Sequence, residues 1–461
     1  MRTSESLTLL SAFARTRWGF RFADRDQLEA WQCRQVERFL SRQLPRAPFY
    51  RDYRDTNLAA LPIVDKATML ARFADLNTHG VTLEQATAVA LAAEESRDFS
   101  HALHHEGSAN GLTAPTALTV GLSSGTQGTR GVFLASSRER ALWAGILLAR
   151  TLDGPLLHDL VLRCSPLRVA FFLRANSKLY GTLASRRLNF RFFDLHTGVE
   201  AHLPALCGFA PDVLVAPGSV LAWIADNART MPTLSKVISV AEVLEPDDER
   251  RINAAFGLPV HQLYQCTEGF LGYTCEHGAL HLNEEFVHIE PEWLDTERTR
   301  FQPIVTDFTR SAQLFVRHRL TDVLTVLPGV CGCGRHTRRL AGIAGRMDDV
   351  LWLPHRDGTR LVALFPDIVR HAILRQHKAH PDYRLSQRGE TFELAVEGGE
   401  AAAYQAIVVA VNETIRRLGM AAPSWRQVHM PASSGMAKRR RITCLFKPAV
   451  PQRSTEVAIH A

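Results

Sequence analysis

The sequence predicts an α/β protein, α+β when its whole length is taken, with a large layered N-terminal domain of β-sheets flanked by helices and a small α+β C-terminal domain. Three observations carry this. The chain has 461 residues, 46% hydrophobic and 22% charged. That is ample for a buried core, and no apolar run free of Gly, Pro or polar breaks is long enough to cross a bilayer. From Thr116 short β-rich runs alternate with helix signals, the texture of a layered domain. Near Gly345 the composition shifts, and the remainder reads as a compact unit of about 110 residues, an ordinary domain size.

Residues 1–105 read as a helical lead-in. Leu7 to Ala14, after Arg2, has the outline of a secretion signal, but Glu5, Thr8 and Ser11 dilute it and an amphipathic helix is the better reading. Arg25 to Leu44 has helical spacing, and Leu61 to Lys66 stands as a hinge between helices. Ala117–Val120, Val213–Ala216 and Val237–Val240 read as strands. Ser136-Ser137-Arg138-Glu139 is a capping box opening a helix through about Leu152, and Pro217-Gly218-Ser219 opens another. Beyond Gly345, Thr391–Val396 reads as a strand, Glu400–Leu418 as a helix with apolar Tyr404, Ile407, Val411 and Ile415, and Arg426–Met430 as a strand. The expected domains are 1–345 and 346–461.

Lys plus Arg outnumber Asp plus Glu by 54 to 47, a net +7 that suits an anionic small molecule as well as nucleic acid. Eight cysteines, sparse and irregular, argue against a disulfide framework and for a reducing, cytoplasmic setting.

The chemistry begins at Gly121-Leu122-Ser123-Ser124-Gly125-Thr126-Gln127-Gly128-Thr129-Arg130-Gly131, which follows a strand. Glycines let backbone N–H groups turn toward an anion and the hydroxyls add donors, so the segment suits a polyphosphate; it lacks the Gly-Lys-Ser/Thr ending of a Walker loop. Tyr264-Gln265-Cys266-Thr267-Glu268-Gly269 follows another strand. A Tyr face stacks on a purine, a Thr hydroxyl reaches a phosphate, and a carboxylate holds the Mg²⁺ that accompanies ATP. Asp322, in Arg317–Asp322, suits ribose hydroxyls, and Gly345-Arg346-Met347-Asp348-Asp349 stands at the composition shift. Cys275, His277, His281, Cys331 and Cys333 supply three thiols and two imidazoles in two turn-rich segments, a donor set for tetrahedral Zn²⁺ in a structural site.

The order Ser-Ser-Gly-Thr-x-Gly, Tyr-x-x-Thr-Glu-Gly, Arg-x-x-Asp, Gly-Arg-x-Asp-Asp and a C-terminal Lys resembles the adenylate-forming superfamily of acyl-CoA synthetases, adenylation domains and luciferases. More narrowly it resembles the phenylacetate-CoA ligase and coenzyme F synthetase-like branch, over roughly residues 60–445. The resemblance implies ATP-dependent activation of a carboxylic acid as acyl-AMP, then transfer to a thiol, most often coenzyme A. It implies that Ser123, Ser124, Gly125, Thr126, Gly128 and Thr129 hold the departing pyrophosphate, Thr267 the α-phosphate and Glu268 the Mg²⁺. Lys438 would bridge the carboxylate and phosphate oxygens, and adenine would lie between Tyr264 and the backbone of Ala241-Glu242. Asp322 would hold the ribose, Arg346 would add a ribose or phosphate contact, and Asp348 would be the hinge of a mobile C-terminal domain. The branch carries a similar Cys…His…Cys-x-Cys pattern, which selects Cys275, His281, Cys331 and Cys333 as zinc ligands over His277.

The acyl pocket of the superfamily lies between the region before the Tyr-x-x-Thr-Glu motif and an aromatic-rich helix. Val169–Tyr180 is the candidate lining, with Phe171, Phe172 and Tyr180 favouring a flat aryl acid and Arg174 pairing with a substituent or carboxylate. Two departures stand out: Arg130, where relatives often carry Pro or Lys, and Ser434-Gly435-Met436-Ala437-Lys438-Arg439-Arg440-Arg441, with two residues between Gly and Lys. The basic run also reads as a solvated tail or an RNA or CoA-phosphate patch. The expected partner is a small-molecule carboxylic acid; the acceptor is coenzyme A or, alternatively, a carrier protein. No membrane is expected, and the chain is expected as a monomer or homodimer. A zinc-braced nucleic-acid-binding protein is the reading from another class; the basic run lacks interleaved aromatics and a docking module for it.

Overall fold

The structure is a computed structural model, and it describes residues 3–53, 56–98, 102–105, 108–109, 112–113, 116–122, 130–162, 165–173, 185–228, 231–376, 382–430 and 440–446. The loop residues Ser123, Ser124, Gly125, Thr126, Gly128 and Thr129, the lining residues Arg174 and Tyr180, and Lys438 lie outside the described residues. The chain divides into two compact units: Met1–Glu290 with Ile304–Arg319 and Pro328–Arg339, and Pro291–Pro303 with Leu320–Leu327 and Leu340–Ala461.

The first unit opens with helices α1 (Thr3–Ala14), α2 (Arg25–Gln43), α3 (Lys66–Ala71) and α4 (Leu83–Ser96). Asp24, Asp65 and Thr82 cap the last three by accepting from a backbone N–H in the first turn. The expected hinge at Leu61–Lys66 is pinned instead, because Val64 exchanges backbone hydrogen bonds with Arg317 and Arg319. Strands β1 (Thr116–Leu122) and β2 (Val132–Ser136) pair antiparallel. The Phe133 ring lies over Gly121 so closely that a Cβ there would fall 2.1 Å from it, so any larger residue would have to displace the ring. Ser136 and Glu139 form both hydrogen bonds of the expected capping box and open α5 (Ser137–Thr151).

After α6 (Gly154–Leu162) come β3 (Leu167–Leu173), β4 (Leu188–Asp194), α7 (Leu203–Phe209), β5 (Val213–Ala216), α8 (Gly218–Asn227), β6 (Lys236–Ser239), α9 (Pro246–Phe256) and β7 (Val260–Cys266). Strands β4-β3-β5-β6-β7 run parallel in that spatial order, and β8 (Gly269–Thr274) and β9 (Leu280–Leu282) extend the sheet antiparallel beyond β7. Apolar side chains cover both faces, as parallel strands require. Ala144, Ile146, Leu147 and Leu156 from α5 and α6 pack on one face with Phe171, Val213, Val215 and Ile238. Leu221, Ile224 and Ile252 from α8 and α9 pack on the other with Ala170, Phe172, Leu214 and Val237.

The second unit contains β10 (Asp322–Val326) and β11 (Arg339–Arg346), paired antiparallel, and the hairpin β12 (Leu351–Pro354) and β13 (Leu361–Leu364). A four-stranded sheet follows in the order β16 (Ser424–Gln427), β15 (Thr391–Val396), β14 (Tyr383–Arg388), β17 (Ile442–Cys444), packed by α10 (Pro366–Gln376) and α11 (Ala401–Arg417). Tyr404, Ile407, Val411 and Ile415 face this core, the stripe that helical spacing predicts. No helix among the described residues is long and apolar enough to cross a membrane.

Candidate active site and metal centre

Three parallel strands of the first unit end at one edge: β5 at Ala216, β6 at Ser239 and β7 at Cys266. That edge is where open α/β sheets bind ligands. After β6, Ala241 takes φ +67°, a left-handed conformation that costs a residue bearing a Cβ about 1 kcal/mol. The Glu242 carboxylate then accepts from the Ser219 hydroxyl at 2.7 Å and the Ser219 N–H at 3.4 Å, at the start of α8. Its side chain is engaged there, which leaves the backbone of Ala241-Glu242 as the face available to a base. Tyr264 is buried on β7, where the register with β8 shifts between Tyr264 and Gln265.

Cys266 pairs with Gly269, so Thr267 and Glu268 form the two-residue turn of the β7–β8 hairpin. Arg310 donates to the Thr267 carbonyl at 2.9 Å and pairs with buried Asp307 at 3.3 Å. The Glu268 carboxylate lies 3.5 Å from the buried His318 Nε2. Burial alone would raise its pKa, but the hydrogen bond and charge of His318, with the Thr267 hydroxyl and the Cys266 thiol, bring it down to about 2. His318 is the residue that sequence reasoning missed. It sits inside the motif-bearing stretch Arg317–Asp322 but carries no spacing signal, because Leu314–Val316 before it reads as an ordinary apolar run.

Beside this turn a cavity is lined by Glu139, Arg140, Trp143 and Ile146 of α5, Gln265 and Cys266, Phe270, Phe286, Asp307 and Arg310. The expected lining residues Phe171 and Phe172 do not border this cavity. Val169–Leu173 belongs to strand β3, and alternation sends Phe171 and Phe172 to opposite faces of the sheet. Phe172 is fully buried and stacked on Phe193 at 4.6 Å, within the core. The aromatic-bearing helix beside the motif is α5, through Trp143. Arg130, expected at the phosphate loop, is clamped by Glu94 at 2.6 Å and 2.5 Å.

Cys275, His281, Cys331 and Cys333 bring one ligand atom each to within 4.8 Å of one another. Cys275 Sγ and Cys331 Sγ lie 3.8 Å apart, and Cys333 Sγ and His281 Nε2 lie 3.5 Å apart. A tetrahedral ion with Zn–S of about 2.3 Å and Zn–N of about 2.0 Å gives edges of about 3.5–3.8 Å, and these two separations match such edges. His281 Nδ1 lies 2.9 Å from the buried Thr337 hydroxyl, which orients Nε2 toward the thiols. Burial pushes the Cys275 thiol up to about 12 and the His281 imidazole down to about 4. Buried imidazole thus stays in its neutral, ligating form, and buried thiolate needs a cation. His277 is not in the cluster; its ring lies against Gly332, and its N–H reaches Cys275 Sγ at 3.4 Å.

In the second unit Asp322 and Arg346 are cross-strand partners on β10 and β11, 3.5 Å apart. Asp348 lies in the turn Met347–Asp349, whose Met347 N–H donates to the Thr321 carbonyl at 2.7 Å. Asp349 pairs with Arg440, and Arg441 pairs with Asp382 at 3.0 Å. Two arginines of the basic run are therefore occupied in ion pairs at β17.

The sequence matches no family model, and no curated protein matches it. Among solved structures the fold matches 2-hydroxyisobutyryl-CoA ligase in the postadenylation state with 2-HIB-AMP, with a TM-score of 0.58 and 17% identity over 91% of this chain and 88% of that one. It also matches an open conformation of that ligase with 2-HIB-AMP and CoA, with a TM-score of 0.54 and 16% identity over 92% of each chain. The chain has the fold of the adenylate-forming acid–CoA ligases.

Proposed function

We propose that the protein activates a carboxylic acid with ATP, forming acyl-AMP and pyrophosphate, and passes the acyl group to a thiol, with coenzyme A as acceptor. The observation that carries this is the β7–β8 turn. It presents Thr267 and a carboxylate kept ionised by His318, at the C-terminal edge of a sheet whose fold is that of a ligase bound to an acyl-adenylate.

The chemical difficulty of the first half-reaction is that two anions must meet, so donors and positive charge must stand where charge develops. The amides and hydroxyls of Ser123–Thr129 would hold the leaving pyrophosphate, Thr267 the α-phosphate, and Lys438 the carboxylate and phosphate oxygens. Mg²⁺ binds through one or two carboxylates plus substrate phosphates. Glu268 fits that donor set, and the ion would supply charge neutralisation there. Tyr264 and the Ala241-Glu242 backbone would flank adenine, and Asp322 and Arg346 would hold the ribose. Asp348 is the pivot we assign to a C-terminal domain of residues 346–461, which would carry Lys438 in for adenylation and out for thiol attack. The acyl portion would sit against Trp143, Phe270 and the Phe171 side of the sheet, which suits an aryl acid. Cys275, His281, Cys331 and Cys333 would hold a structural Zn²⁺.

Acid-dependent ATP–pyrophosphate exchange across aromatic and aliphatic carboxylates, followed by trapping with coenzyme A and with a thiolated carrier protein, tests the proposal. Exchange with at least one acid and thioester formation with coenzyme A are expected. No exchange with any acid overturns it, and acylation of the carrier alone overturns the choice of acceptor.

A further inference from the structure

The cavity beside the Thr267–Glu268 turn has four ionisable groups in its wall, Glu139, Arg140, Asp307 and Arg310. Three are spent on the protein. The Glu139 carboxylate accepts from the backbone N–H groups of Ser136 at 2.6 Å, Ser311 at 2.6 Å and Ala312 at 3.1 Å. Asp307 and Arg310 pair with each other, Asp307 also accepts from the Thr309 hydroxyl at 2.6 Å, and Arg310 donates to the Thr267 carbonyl.

Arg140 is different. Among the described residues it makes no hydrogen bond or ion pair, and its Nε is buried without a partner. Burial pulls its guanidinium below the ordinary value, against a through-space pull upward from Glu5. A half-buried guanidinium left unpaired is costly, and its planar fork of donors matches a carboxylate in a bidentate pair. Around it Trp143, Ile146, Phe270 and Phe286 offer apolar surface for a carbon spacer.

We infer that Arg140 is a specificity-determining residue of the acyl pocket, and that the acid taken by this site is a dicarboxylic acid, one carboxylate activated at Thr267 and the other paired with Arg140. The inference rests on the ligase reading above. No covalent step is added: the distal carboxylate binds and is carried through unchanged.

The test is ATP–pyrophosphate exchange with matched pairs, isophthalate against benzoate and adipate against hexanoate, on the wild-type enzyme and on Arg140→Met, with Arg140→Lys as the conservative variant. A site built for a buried polar group rejects the analogue lacking it strongly. The wild type should therefore prefer one diacid over its monoacid partner by about 100-fold in kcat/KM, Arg140→Met should lower the diacid value far more than the monoacid value and so erase that preference, and Arg140→Lys should restore part of it. Monoacids used as well as diacids by the wild type overturn the inference while leaving the ligase reading intact. So does an equal loss of both classes in Arg140→Met. Thermal stabilisation by isophthalate and adipate, read without ATP on both proteins, separates the two claims. Stabilisation that disappears in Arg140→Met, with no exchange for any acid, overturns the ligase reading and keeps the carboxylate site; neither stabilisation nor exchange overturns both.

Discussion

Replacing His318 by Gln probes the electrostatic arrangement of the β7–β8 turn. Glu268 is held at about 2 against an ordinary value of 4.5. A carboxylate held below its ordinary value stabilises the native state at every pH above that ordinary value and loses this contribution as the pH falls through the folded value. The fall corresponds to about 3 kcal/mol at neutral pH, and with the Glu268 side chain only 14% exposed solvent screening takes little of it. Removing the imidazole leaves the Thr267 hydroxyl and the Cys266 thiol as partners, so His318→Gln should lose about 2 kcal/mol at pH 7, most of the pair's contribution. Urea unfolding of wild type and variant, followed by tryptophan fluorescence from pH 7 down to pH 2.5, measures it. The difference should be full above pH 4.5 and shrink steadily below. A double-mutant cycle with Glu268→Gln isolates the pair, since Glu268→Gln should make the His318 substitution nearly neutral. A His318→Gln variant within about 0.5 kcal/mol of wild type at pH 7, or a difference that does not shrink in acid, would refute the reasoning.

The remaining expectations concern other parts of the molecule. Metal analysis of purified protein should find one zinc per chain, and Cys331→Ser should lose the metal and lower the melting temperature by several degrees; full zinc retention in the variant contradicts the ligand set. Glu139→Gln removes the charged acceptor of three backbone amides and should cost about 1–3 kcal/mol in unfolding free energy, measured by denaturant titration, with neutrality as the contrary result. Lys438→Ala should abolish adenylation by at least about 100-fold in pyrophosphate exchange while thioesterification from supplied acyl-AMP survives. Arg440→Ala, which breaks the pair with Asp349, should lower stability and leave exchange nearly intact. Equal loss of both half-reactions in Lys438→Ala contradicts its role.

Much of the architecture was legible in the sequence where local signals and tertiary demands agree. The capping box at Ser136–Glu139 formed as written, the strand Val213–Ala216 was bounded by Pro217-Gly218, and the stripe of Tyr404, Ile407, Val411 and Ile415 faces the core it implied. The residues alone left five donors, and the resemblance to the branch's Cys…His…Cys-x-Cys pattern pointed to the four, Cys275, His281, Cys331 and Cys333, that the structure brings together. The surroundings of Phe171 and Phe172 were not. Phe171 and Phe172 are adjacent in sequence, and only the strand period, invisible in an unbroken apolar run, sends them to opposite faces. Nor were His318 and Arg140 marked, since pairing across about 50 residues, or the lack of any partner, is a three-dimensional property.

The discontinuity of the second unit sets a limit on how the protein can be taken apart. Its strand β10 belongs with β11, yet Ile304–Arg319 and Pro328–Arg339, on either side of Leu320–Leu327, belong to the first unit. A single cut near residue 345 would run through β11 and leave Asp322 on one piece and its cross-strand partner Arg346 on the other. Moving the second unit as one folded piece would therefore require carrying Pro291–Pro303 and Leu320–Leu327 with it, as insertions and not as a simple fusion.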